Sequence, residues 1–231
     1  MASDIAAKIK TRGYFEVSIR PVEYREGRVA YLDLFEFVRS RSVAFRGWDF
    51  PHVADRQETR LLNGHIRQDH QWHHHVESWA MFGSGLFVAL RGYAQDWRDE
   101  SLVWPPDPSP QHSLTMNAIE VFYRMVEVFE FADRLTADLL PAGRLKVEMS
   151  DHGLKGRALV NSMGYLDRIG GGISSLDSKA QSIEMTRAEL VSDPLSPAVT
   201  FTRDLCAIYG SDVPADLLRE SARKLKRRTI P

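Results

Sequence analysis

The chain has 231 residues, 43% of them hydrophobic and 26% charged, a size and balance that suit one large globular domain without disulfide staples. Its 30 lysines and arginines against 31 aspartates and glutamates argue against a generic polyanion binder. One cysteine, Cys206, excludes an internal disulfide and a multi-cysteine zinc site and suits a reducing cytoplasm. No run approaches the roughly 20 apolar residues that span a bilayer, and the first residues lack the apolar core of a signal peptide. The expectation is a cytoplasmic protein with no membrane partner.

In chain order, Phe15, Val17 and Ile19 alternate with polar residues, the period of a half-buried strand that Pro21 stops. Residues 31–40 change to helical spacing, with Leu32, Phe35 and Val38 on one face. A short strand over 43–45 leads into an aromatic loop punctuated by Gly47 and Pro51. Next comes a hairpin. Residues 73–82 alternate, the Gly83-Ser84-Gly85 segment supplies the turn, and 86–93 return as an apolar strand. The alternation puts His73, His75, Glu77, Trp79 and Met81 on one face.

Pro105, Pro106, Pro108 and Pro110 make 99–113 a loop. Residues 115–140 read as the strongest helix, with Glu120–Arg124 and Glu130–Arg134 as i,i+4 pairs on its polar stripe, ended by Pro141 and Gly143. Residues 145–149 and 157–160 read as strands around a turn at Asp151-His152-Gly153, and Gly170-Gly171-Gly172 marks a break. Three helices are expected over 177–191, 197–209 and 214–227. The fold class is therefore α+β: an antiparallel sheet in the first half with a long packing helix, then a helical C-terminal region. Residues 1–231 form one globular unit, in which residues 1–98 are rich in strands and residues 114–231 rich in helices, joined by the proline-rich loop 99–113.

The sharpest chemistry is the histidine cluster. His73, His75 and Glu77, with His70 as a further ligand, have the donor types of a two-histidine, one-carboxylate divalent metal site. The same residues also read as strand histidines stacking on Trp72 and Trp79. Asp167 with Asp177-Ser178-Lys179 matches the letters of a nuclease pattern, but Asp177 is expected to cap a helix. Glu148, Asp151, His152 and Lys155 read as a solvated hairpin tip, and Cys206 as a buried thiol. No phosphate loop, dinucleotide fingerprint or nucleophile elbow occurs.

Toward the end, Arg219, Arg223, Lys224, Lys226, Arg227 and Arg228 surround one acidic residue, Glu220. Such a patch suits phosphate or nucleic-acid contact, and suits equally a basic helix C-terminus favoured by the helix dipole. The loop aromatics Trp48, Phe50, Trp97 and Trp104 are candidate partner anchors, or else cover the sheet ends.

Several phrases taken together resemble a known region: Gly13-Tyr14-Phe15-Glu16-Val17-Ser18-Ile19-Arg20-Pro21, Phe45-Arg46-Gly47-Trp48-Asp49-Phe50-Pro51-His52, His74-His75-Val76-Glu77-Ser78-Trp79, and Phe82-Gly83-Ser84-Gly85-Leu86-Phe87-Val88 with the helix that follows. The region is an uncharacterised bacterial one that often follows Schlafen-type AlbA DNA-binding modules in regulators and ATP-binding proteins. The resemblance covers residues 12–161, and here no AlbA module precedes the shared stretch. It implies an accessory or sensing role beside nucleic-acid-linked machinery in bacterial regulation or defence, and carries over no functional residue.

The leading expectation is a non-enzymatic binding or sensing module that engages a protein or nucleic-acid partner and needs no cofactor. One rival is a divalent-metal enzyme built on His70, His73, His75 and Glu77. The other is a nucleic-acid binder acting through the C-terminal cations.

Overall fold

A computed structural model describes residues 4–100, 114–160 and 171–227. Most of the loop 99–113, with Trp104, and also Asp167 and Arg228, lie outside the described residues. The N-terminal α1 (Ile5–Ile9), capped by the Asp4 side chain, leads into β1 (Tyr14–Pro21). A 3-10 turn and α2 (Leu34–Arg39) follow, then β2 (Arg60–Leu62), β3 (His65–Trp72), β4 (His75–Phe82) and β5 (Phe87–Gly92). After β6 (Thr115–Asn117) come α3 (Ala118–Leu139), β7 (Arg144–His152), β8 (Ala158–Val160), β9 (Ser178–Thr186), α4 (Arg187–Ser192), α5 (Leu195–Ala207) and α6 (Ala215–Lys226).

Seven strands form one antiparallel sheet in the order β2-β3-β4-β5-β1-β7-β9, while β6 and β8 pair in parallel beside it. The α+β class is as expected, but the sheet is not confined to the first half: β7 and β9 complete it. Residues 177–191 correct the expected helix, since Ser178–Thr186 is an edge strand paired along its length with β7 and only the last turns are helical. Asp177 caps nothing; its carbonyl accepts from the Leu154 N–H. The expected strand at 43–45 reduces to a single bridge between Val43 and Phe50.

On one sheet face the alternate residues Phe15, Val17 and Ile19 of β1 and Leu145, Val147 and Met149 of β7 are buried against α3. The other side of α3 is covered by α4, α5 and α6, which is why this helix is apolar around most of its circumference. Asn117 caps it, accepting from the Ile119 N–H at 3.0 Å. The main core is one contiguous cluster running from Phe15 to Leu225, shared by the strand-rich and helix-rich regions alike. The opposite face is covered near β4 and β5, where Ile9, Val76 and Trp97 form a small second cluster. Gly92 is required there because a Cβ would collide with the Trp97 indole. Among the described residues, no helix is long and apolar enough to cross a membrane.

Candidate functional site

Antiparallel register aligns the strands into rows across the sheet. On the α3 face, Ile66, Met81, Phe87, Ile19 and Val147 make an apolar row. The next row is mostly apolar as well: Gln68, Trp79, Ala89, Val17 and Met149. The third changes character, running His70, Glu77, Arg91, Phe15 and Asp151. It lies under the first turns of α3, where Arg124 stacks over Phe15 at 4.2 Å and donates to Asp151 at 2.7 Å. The Tyr93 hydroxyl donates to the same Asp151 oxygen at 2.7 Å. Asp151 is fully buried, which corrects the expected solvated hairpin tip.

Glu77 is fully buried too. Its two oxygens accept from the Trp48 indole N–H at 3.2 Å and the His52 backbone N–H at 3.0 Å. Burial pushes its carboxyl up from the usual range, opposed by Arg91 and by these two donors. Arg91 is its cross-strand partner, with Nε 3.9 Å from the nearer carboxylate oxygen. That is an ion pair without a hydrogen bond. Arg46 comes from the aromatic loop and grips Glu127 of α3 through two bonds, at 2.8 and 2.6 Å.

Arg46, Arg91 and Arg124 line one cavity of about 190 Å³ together with His74, His75 and Asn117. The exposed Glu120 marks its rim. Burial, then the charges of Arg91, His74 and Arg46, hold His75 at about 3. His74 is lowered by burial and by Arg98 among others, so both rings are neutral at pH 7. Nearby arginines add to that depression after burial, and the same guanidinium groups can attract a negatively charged guest. The three arginines differ in how far they are satisfied. Arg46 spends two of its five N–H donors on Glu127, Arg124 keeps a buried Nε without a partner, and Arg91 donates no hydrogen bond among the described residues.

The expected metal ligands are dispersed. His73 sits not on the strand but in the two-residue turn between β3 and β4, with φ of 51°. This places it out of line with His75 and Glu77. The His75 ring lies flat on Trp48 at 4.5 Å. His70 is directly opposite Glu77, but its Nε2 faces Gln68 Oε1 at 3.0 Å. Among the described residues no group of three or more histidine, cysteine, aspartate or glutamate side chains is placed to hold a metal ion.

Of the loop aromatics, Phe50 and Trp97 are buried and offer a partner no surface. Trp48 stacks on His52, His75 and Trp72. The basic C-terminal helix is largely paired: Arg219 with Asp193, Lys224 with Glu220, and Lys226 with Glu130. Arg223 and Arg227 lie in its last turn and at its cap. Cys206 is buried as expected, and burial pushes its thiol up to about 12.

Reasoning from sequence passed over all three cavity arginines. Arg46 read as loop, Arg91 as a member of an apolar strand, and Arg124 as half of a solvated pair with Glu120. Instead Arg124 turns inward to Asp151 and Glu120 accepts from Gln95. No protein-family model matches this chain, and no curated protein or solved structure matches it either.

Proposed function

We propose that the protein is a non-enzymatic binding module that recognises its partner through an anionic group held between Arg46, Arg91 and Arg124. The observation that carries this reading is Arg91. It is a mostly buried guanidinium at the wall of a cavity, with donors that no hydrogen bond uses among the described residues. Unlike the Arg124 Nε, its nitrogens are not sealed from solvent, so a guest in the cavity can reach them and form charge-assisted hydrogen bonds. An anion in the cavity meets them, with the neutral histidines beside it. The first turn of α3 borders the same cavity and adds its dipole in the same sense. The resemblance of residues 12–161 to a region found beside DNA-binding modules suits such a role in a bacterial regulatory or defence assembly.

Isothermal titration with inorganic phosphate at low ionic strength tests the reading. Binding is expected, and it weakens as salt rises. The double variant Glu77→Gln/Arg91→Met removes both halves of the buried pair, so no carboxylate is stranded. It should weaken binding by about tenfold or more, as a hydrogen bond to a charged group contributes roughly 1.5–3 kcal/mol. A flat titration of the unaltered chain sinks the proposal.

A further inference from the structure

Beside the cavity stands an aromatic surface that the fold does not use. Trp72 is 60% exposed, and its ring has two aromatic neighbours. It stacks nearly parallel on Trp48, with centroids 5.9 Å apart and planes at 9°, and meets His73 edge-on at 4.3 Å. Trp72 is the direct cross-strand partner of His75, and directly paired side chains lie about 5 Å apart on the same sheet face. His75 lines the arginine cavity, and so does His74, two residues on from Trp72. An exposed indole therefore adjoins an arginine-lined pocket, separated from it by one side chain.

Size decides how a ligand can use both. At about 190 Å³ the cavity is below the roughly 300–1,000 Å³ of pockets that enclose a drug-sized molecule. A phosphoryl group fits, and whatever carries that group must lie outside. The Trp72 indole next to it is aromatic and mostly exposed, which leaves ring area for a planar π-system. Base-on-aromatic stacking beside cationic backbone contacts is how nucleotides are held without reading their sequence.

Resting on the anion-binding reading above, we propose that the ligand is a phosphorylated nucleoside, its phosphoryl group among Arg46, Arg91 and Arg124 and its base stacked on Trp72. The same chemistry is offered by a free mononucleotide and by the phosphorylated end of a nucleic-acid strand.

Titration with four probes tests this: inorganic phosphate, adenosine, adenosine monophosphate and a 5′-phosphorylated tetranucleotide. Adenosine monophosphate is expected to bind about tenfold tighter than phosphate, and adenosine alone only weakly, since stacking contributes roughly 1–3 kcal/mol per base. Trp72→Ala should bring adenosine monophosphate down to the affinity of phosphate and leave phosphate itself unchanged. Because Trp72 is exposed, this variant keeps its core intact, and unchanged phosphate binding confirms that it is folded. A tetranucleotide that binds tighter than the monophosphate assigns the site to a strand end; equal affinity assigns it to the free nucleotide. If phosphate binds but adenosine monophosphate binds no tighter, or if Trp72→Ala leaves their ratio unchanged, the nucleoside assignment is overturned while anion binding stands. If phosphate itself fails to bind, both fall.

Discussion

Two arginines, one buried and one mostly buried, occupy contrasting surroundings. Arg157 grips Asp96 with two bonds at 2.8 and 2.6 Å and donates further to the carbonyls of Thr115 and Gly153. Asp96 in turn accepts from the Gly13 N–H at 2.9 Å. The pair closes the wall of a wider depression of about 690 Å³ beside Tyr14 and His152, and four of its five N–H donors are already engaged. Asp96→Ala should therefore behave as a structural lesion. It strands a buried guanidinium, and urea unfolding should show a loss of about 3–5 kcal/mol; a loss under 1 kcal/mol would mean that Arg157 finds water instead. Arg91 lacks such a shell, which is why it marks the candidate site. Its pairing was legible to a degree: Glu77 and Arg91 stand equally far from Ser84, so a hairpin centred on that residue sets them opposite each other. That both face α3 rather than solvent was not legible, because burial of a charge depends on what other elements bring to cover it.

At the level of elements, the β4–β5 hairpin and the long helix were readable because their periods are unambiguous. Strand β9 was not. Lys179, Ala180, Gln181 and Glu184 are good helix formers, and only Ile183 and Met185 point to the alternation. The choice is made by β7, whose Leu145, Val147 and Met149 are already buried and whose outer edge β9 pairs along its whole length. Strand β3 was missed for a similar reason. Its alternation of Ile66, Gln68 and His70 is polar at two inward positions, where Gln68 bonds Ala54 and Thr59 and His70 bonds Gln68. The end of β9 is marked by a capping box, with the Thr186 hydroxyl and the Glu189 carboxylate each accepting the other's backbone N–H, at 3.2 and 2.7 Å. Thr186→Ala should cost about 1 kcal/mol in denaturant unfolding. No change would show that packing of Leu190 alone holds α4 in place.

For the molecule as a whole, the buried histidines set an acid limit. His70 is held at about 4, chiefly by burial and then by His52, and His75 at about 3. Burial lowers His52 and His74 as well. In the unfolded chain these groups titrate near 6.5, so from there down to about 4 the unfolded state binds more protons than the folded one. Their contribution is complete above pH 6.5 and drains away as the pH falls. The slope reaches about 1.4 kcal/mol per pH unit for each of His70 and His75, and His52 and His74 add to it in the same direction. Glu77 acts in the opposite sense, since its raised pKa favours the folded state at lower pH, but it is one group against four. Urea midpoints measured at pH 7.5 and 5.0 should differ accordingly, and His70→Gln should reduce the difference. Equal midpoints would refute the neutral-histidine description.

The place of β1 has a consequence for how the chain assembles. First of the strands in chain order, it ends in mid-sheet, with Tyr14 opposite Gly92 on one side and His152 on the other. A ribosome-bound chain that has emerged only as far as β5 holds β1 along a single edge, its other flank bare until β7 arrives. Such distant pairings slow the search for the native arrangement. They also make the emerging intermediate, rather than the finished protein, the form most exposed to aggregation.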